Sequence, residues 1–256
     1  MNALRWVLAR CFAGCFAAGA ALAPLMSCAA SVQVAVAANF AQPMQKIAET
    51  FEADTGHKAV LSIGSTGRFY AQIRNGAPFE LLLAADDETP LKLEAQGLGV
   101  KGSSFIYATG RLVLWSARPN FVDDKGAILA RGGYNKLAIA DPRLAPYGSA
   151  AVEVLQKMNL SRLQATAVQA ENIGQAFQFV QSGNADIGFI ALSQVMQDGK
   201  IGQGSAWLVP VGMHSPIRQA AVLLVKGKDN PAAAALAAYL RGDKARAIIR
   251  RHGYEL

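Results

Sequence analysis

The sequence predicts a two-lobed α/β fold, and three observations carry that expectation. Strand-like and helix-like segments alternate from Val32 nearly to the C-terminus, the alternation restarts at residue 137, and two extended apolar stretches, 107–115 and 209–225, separate the halves. Alternating β and α segments pack as a parallel or mixed sheet covered on both faces. Two such runs imply two sheets, and two connecting stretches imply that the chain leaves the first lobe and later returns to it. On this reading residues 1–30 are an export signal, 31–110 the first part of lobe 1, 111–213 lobe 2, and 214–256 the second part of lobe 1.

In the first lobe "VQVAVA" leads to a helix with Met44, Ile47, Ala48 and Phe51 on one face, closed by Gly56. "KAVLSI" leads through "GSTG" to "RFYAQIRNG", and "ELLLAA" leads to "TPLKLEAQG". The second lobe repeats this grammar in "LAIA", "SAAVEVLQKM", "ATAVQA", "IGQAFQFVQSG" and "DIGFIA". The closing "PAAAALAAYLRGDKARAIIRRHGYEL" reads as helices packed back on the N-terminal lobe.

Arg5 and Arg10 followed by "CFAGCFAAGAALAPLM" and the small residues of "SCAAS" read as an export signal, cleaved after Ala29 or Ala30. A retained anchor and lipid attachment at Cys28 are the alternatives. Cys11, Cys15 and Cys28 all lie in this segment, so the remaining 226 of 256 residues carry no disulfide, thiolate metal site or cysteine nucleophile. The formal charge of +7 becomes +5 without the two leader arginines. A modest positive field draws in small anions, though it equally serves solubility. Lys and Arg are scattered, with no basic-aromatic surface of the kind nucleic acid requires.

Two glycine-rich stretches carry no nucleotide chemistry. "GLGVKG" (97–102) follows a helix where the dinucleotide fingerprint needs a strand, and "IGSTGR" (63–68) lacks the lysine-serine pair of a phosphate loop. His57, His214 and His252 lack ligand spacing, so no metal site is expected. What remains are small polar residues where strands hand over to helices: Asn39, Ser65 and Thr66, Tyr147, and Asn172 with Ile173. The unpaired N–H groups of a helix start carry partial positive charge and bind anions without a cationic side chain. Taken singly, each such residue is equally an ordinary helix cap. Pro43 leaves the start of the first helix open, because proline favours the first turn. A start as late as Gln42 leaves Asn39 in a loop, acting through its side-chain amide.

"VAVAANFAQPMQKIAETFEADTG", "IGSTGRFYAQIRNGAPFELLLAADDETP", "IADPRLAPYGSAAVEVL", "AENIGQAFQFVQSGNADIGFIALSQV" and "SPIRQAAVLL" together resemble the periplasmic molybdate-binding proteins, the substrate-binding components of molybdate ABC transporters. The resemblance runs from Val32 to Leu256 and implies a class II periplasmic binding fold, two α/β lobes joined by a hinge with a ligand cleft between them. It further implies a monomer that binds molybdate or tungstate in the periplasm, delivers it to a membrane permease, and needs neither a cofactor nor catalytic residues. Position by position, it places the anion among Ala38, Asn39, Ser65, Thr66, Tyr147 and Ile173. In the better-known branch a tyrosine hydroxyl comes from position 191, which is alanine here, and the phenol of Tyr147 is the candidate replacement.

A site made only of donors suits molybdate, tungstate or sulfate and disfavours protonated phosphate, which needs an acceptor for its proton. Asp86 and Asp87 are the nearest acceptors, and both read better as residues of a helix start. The competing readings are a sulfate or phosphate binder of the same fold, a ferric-ion binder, and a hydrolase on the same scaffold. Asn39→Ala and Thr66→Ala are each expected to weaken anion binding by about 1–3 kcal/mol while leaving the apo protein nearly as stable.

Overall fold

A computed structural model describes residues 29–197 and 199–256. The expected export signal, with its three cysteines, lies outside the described residues save for Ala29 and Ala30. The chain begins with β1 (Ser31–Ala37), α1 (Ala41–Thr55), β2 (Lys58–Gly64), α2 (Thr66–Arg74), β3 (Leu81–Leu83), α3 (Glu88–Ala95) and β4 (Phe105–Gly110). It continues through β5 (Leu112–Ser116), α4 (Ile128–Arg131), β6 (Leu137–Ala140), α5 (Pro146–Lys157), α6 (Arg162–Thr166), β7 (Val168–Ala170), α7 (Ile173–Gln181) and β8 (Ile187–Ala191). A small hairpin, β9 (Met196–Gln197) and β10 (Lys200–Ile201), precedes β11 (Ser205–Leu208), β12 (Ile217–Leu223), α8 (Pro231–Tyr239) and α9 (Asp243–Arg251).

Two five-stranded sheets result, in the orders β2-β1-β3-β12-β4 and β11-β5-β8-β6-β7. In the first, β1 runs parallel to β2 and β3 while β12 is antiparallel to β3 and β4. In the second, β6 runs parallel to β7 and β8 while β5 is antiparallel to β8 and β11. The chain crosses from the first sheet to the second at Arg111, between β4 and β5, and returns between β11 and β12. Both sheets are mixed because each takes antiparallel strands from the crossing segments.

β1 is covered on both faces, which is why it reads as a continuous Val/Ala run instead of an alternation. α1 buries Met44, Ile47 and Phe51 and stops at Gly56, whose φ of 73° is the left-handed C-terminal turn that glycine adopts without cost. α8 and α9 pack on the first lobe, where Leu236, Ala245 and Ile249 join the core under Val32, Val34 and Phe51. The core of the second lobe runs without a break onto Ala37, Ala38 and Ala85, at strand ends of the other lobe.

The carboxyl ends of β1, β2, β6 and β7 all hand over to helices, and ligands of open α/β sheets sit outside such ends. α5 is held against β6 by Gly148 in its first turn. A Cβ there would lie 2.3 Å from the Ala140 carbonyl oxygen, a backbone atom that cannot swing aside. Gly148→Ala is therefore expected to lower stability by about 1–3 kcal/mol, read as the shift in the urea midpoint. An unmoved midpoint would mean that α5 slides off β6 without penalty.

Candidate functional site

Ala38, Asn39, Ser65, Thr66, Tyr147 and Ile173 line one small cavity between the lobes, of about 10 Å³. Ala37, Gly64, Ala85, Ala145, Pro146 and Asn172 complete its wall, and none of the twelve is charged. Ala85, at the end of the strand-like "ELLLAA", obeys the same strand-to-helix rule as the others and was legible by it. The four helix starts come from a short 3-10 turn (Ala38–Phe40) running into α1, and from α2, α5 and α7. Two belong to each lobe. Their first N–H groups have no intrahelical acceptor, and their dipoles converge on the same space.

The start of α1 is thereby decided. Pro43 is the third residue of α1, where its missing N–H costs nothing, and Asn39 lies in the turn before it instead of in a loop. Asn39 is 2% exposed. Its Nδ2 donates to Gln219 Oε1 at 2.7 Å and to the Tyr254 hydroxyl at 3.0 Å. Its backbone carbonyl oxygen accepts from Ser193 Oγ and from the Tyr254 hydroxyl, each at 2.8 Å. These bonds use the side-chain N–H groups and the backbone carbonyl, and leave the backbone N–H and Oδ1.

The other junction residues divide sharply. Asn172 is the plain cap of α7, its side chain accepting from the N–H of Gln175 at 3.0 Å. Thr66 Oγ1 accepts the N–H of Ala85 at 2.9 Å, which uses a lone pair and leaves the hydroxyl proton free to donate. Ser65 stands at the cap position of α2, yet makes no capping bond; its Oγ is 3% exposed as a residue and has no partner. Buried hydroxyls are nearly always hydrogen-bonded. Ser65 is the exception, and it faces the cavity.

Tyr147, 1% exposed, is the second residue of α5. Pro146 before it has no N–H, so the first orphan donor of this helix is that of Tyr147 itself. The phenolic oxygen accepts from Gln219 Nε2 at 3.1 Å. Burial, with the neighbouring phenols of Tyr254 and Tyr107, pushes Tyr147 well above the ordinary tyrosine value. Burial likewise pushes Tyr254 up to about 12 and raises Tyr107, so all three keep their protons and remain donors. Ala191 lies at the end of β8 in the core of the second lobe and takes no part in the cavity wall.

The two acidic residues beside the site are occupied elsewhere. Both oxygens of Asp86 accept from Thr89 in the first turn of α3, and Asp87 pairs with Arg218 at 2.6 Å. Burial raises Asp86, an effect the Thr89 bonds oppose. Around the cavity the lobes touch directly: the Gly67 N–H donates to the Leu144 carbonyl at 2.9 Å, and Arg68 pairs with Glu171. His57, His214 and His252 bond to Ala30, Ser215 and Ile248 respectively, at three separate places.

A family model described as bacterial extracellular solute-binding protein matches residues 32–255. The chain belongs to this family. Within it the chain is similar to the molybdate-binding protein of Azotobacter vinelandii, 57% identical over 241 residues that cover 94% of this chain and 96% of the relative. The molybdate-binding protein of Rhodobacter capsulatus is 47% identical, with 90% of each chain covered. A solved periplasmic molybdate-binding protein of Azotobacter vinelandii superposes with a TM-score of 0.85 at 42% identity, covering 88% of this chain and 99% of that one. The fold is that of a periplasmic binding protein.

The packing gives two of these junction residues a part in the fold itself. Asn39 sits in a buried network and Thr66 holds the Ala85 N–H, so a stability cost is now expected for replacing either, where sequence position alone suggested nearly none. Thr66→Val strands a buried N–H and is expected to cost about 1–3 kcal/mol of apo stability. Ser65→Ala removes a hydroxyl that no protein atom uses, and is expected to leave the apo protein as stable or slightly more so. Thermal unfolding of the two variants without ligand checks the pair; equal losses would mean that Ser65 has a protein partner after all.

Proposed function

We propose that the protein captures molybdate as a desolvated dianion and hands it to the membrane permease of an ABC transporter in the periplasm. The observation that carries this is Ser65 Oγ, a buried, unpartnered hydroxyl in a cavity with no charged wall. A tetrahedral dianion supplies the acceptor that hydroxyl lacks. The remaining donors are the hydroxyls of Thr66 and Tyr147 and the helix-start N–H groups of Ala38, Asn39, Tyr147 and Ile173.

Each neutral donor to a charged acceptor contributes about 1.5–3 kcal/mol. Half a dozen offset an association cost of about 4–15 kcal/mol and leave room for the roughly −12 kcal/mol of nanomolar binding. Selectivity follows from what the wall lacks. Phosphate that keeps a proton at neutral pH finds no acceptor carboxylate, because Asp86 and Asp87 are tied to Thr89 and Arg218. Tungstate has the same charge and nearly the same size, so the site accepts it equally.

The similarity to molybdate-binding proteins supports molybdate over sulfate. A ferric-ion binder needs clustered anionic ligands, whereas Tyr147 is the single phenol in the wall. A hydrolase needs a base beside its nucleophile, and no histidine or carboxylate lines the cavity with Ser65. On this reading the leader exports the protein to the periplasm, where a monomer closes its two lobes on the ligand; among the described residues no helix is long and apolar enough to cross a membrane.

Calorimetric titration of the leader-free protein with molybdate, tungstate, sulfate and phosphate checks the reading. Molybdate and tungstate are expected to bind tightly and phosphate weakly. Ser65→Ala is expected to lower molybdate affinity by about 1.5–3 kcal/mol with the apo unfolding temperature unchanged. Undiminished affinity in that variant would remove Ser65 from the site.

A further inference from the structure

We propose that Gly67 is the closing residue of the site: its N–H and its bare Cα receive the Leu144 carbonyl of the other lobe, and this clasp keeps the bound anion in. The inference rests on the anion-binding reading above. Gly67 is the second residue of α2, and its N–H donates to the Leu144 carbonyl at 2.9 Å. An N–H at a helix start finds no carbonyl in its own helix and is left to solvent, a ligand or a neighbouring segment. Here the neighbour belongs to the opposite lobe.

The position of the contact gives it a function. Thr66 and Ala145, the chain neighbours of the bonded pair, line the small cavity, whereas Gly67 and Leu144 line only the larger groove beside it, of about 390 Å³. The Gly67–Leu144 bond therefore stands as the partition between the two spaces. With that bond made, Ser65, Thr66, Ala85, Ala145 and Tyr147 are each no more than 5% exposed, although they sit at strand ends and helix starts. Parting it would join the cavity to the groove.

Both partners are shaped for close approach. The Leu144 carbonyl projects from a turn that is tied from within: the Asp141 carbonyl accepts from the N–H groups of Leu144 at 3.1 Å and Ala145 at 2.9 Å, and Ser149 Oγ donates to the Pro142 carbonyl at 2.8 Å. A turn already ordered loses little freedom when the lobes meet. On the other side, a Cβ at Gly67 would lie 3.0 Å from Leu144 Cα and 3.1 Å from its oxygen, backbone atoms that give way only if the lobes separate. The adjacent ion pair of Arg68 with Glu171 is more than half exposed on each side, and such pairs hold weakly.

The test measures sodium molybdate affinity by calorimetry and its dissociation by chasing labelled molybdate with unlabelled. It compares leader-free wild type, Gly67→Ala and Arg68→Gln, with unfolding temperatures of the ligand-free proteins alongside. Absence of binding by the wild type defeats the functional reading, and the clasp with it. Given wild-type binding, Gly67→Ala is expected to weaken it about 3- to 15-fold. The loss should come from faster dissociation, with the association rate within about twofold of wild type. The ligand-free variant should unfold at the wild-type temperature or slightly above it, because alanine favours a helix over glycine. A glycine needed only by the fold would lower affinity and stability together. Arg68→Gln is expected to lose less affinity than Gly67→Ala.

Three results would overturn the proposal. Unchanged dissociation in Gly67→Ala would mean that the lobes are held elsewhere. A lowered unfolding temperature of ligand-free Gly67→Ala would place the contact in the empty fold instead of in closure. A larger loss in Arg68→Gln would make the ion pair the clasp.

Discussion

A dianion taken out of water with no cation beside it has to be met by N–H and O–H groups that are already aimed, and this requirement organises the proposed site. Water around such an ion reorients freely; a protein donor that had to turn toward it would spend binding energy in doing so. Helix starts avoid that cost, because their first N–H groups point outward by construction and cannot be satisfied within the helix. Four of them, two from each lobe, open on one cavity. The crossing at Arg111 and the return into β12 let two separate sheets present their strand ends to the same cavity.

The aiming is enforced from behind. Asn39, Tyr107, Gln219 and Tyr254 of the first lobe and Tyr147 and Ser193 of the second form one buried hydrogen-bonded set, in which each group fixes the next. Such a network is costly if any member is left unpaired and rigid when all are paired. Ser65 is outside it. The supporting groups are satisfied by one another, whereas the Ser65 hydroxyl has no protein partner. The contacts at Gly67 with Leu144 and at Arg68 with Glu171 ring the same space and join the lobes around it.

Much of this was readable in the sequence because it is local. The alternation of β and α segments, Gly56 ending α1, Asp86 at the start of α3 and the polar residues after β1, β2 and β7 are all decided within a few residues of chain. Asn172 shows the limit of that reading: it stands at the same kind of junction as Ser65, yet it caps its helix and Ser65 does not. The difference lies in side-chain direction, which no spacing encodes. The network behind the site was hidden for another reason. Asn39 meets Gln219 across 180 residues and Tyr254 across 215, separations that no local pattern records. One trace was visible: Gln219 is the lone amide in the apolar run "AAVLLV" and its approach, "SPIRQ", a polar residue where a buried strand has none to spare.

The central claim is that neutral donors alone hold the anion, and a crystal structure of the leader-free protein with molybdate, its metal located by anomalous scattering, tests it most directly. The account places the metal in the cavity between Ser65 and Tyr147, with oxygens in hydrogen-bond reach of the Ser65, Thr66 and Tyr147 hydroxyls and no Lys or Arg in contact. A larger groove opens beside that cavity, walled by Asp86, Arg143, Glu153 and Arg218. Molybdate bound there, against Arg143 or Arg218, would contradict the account.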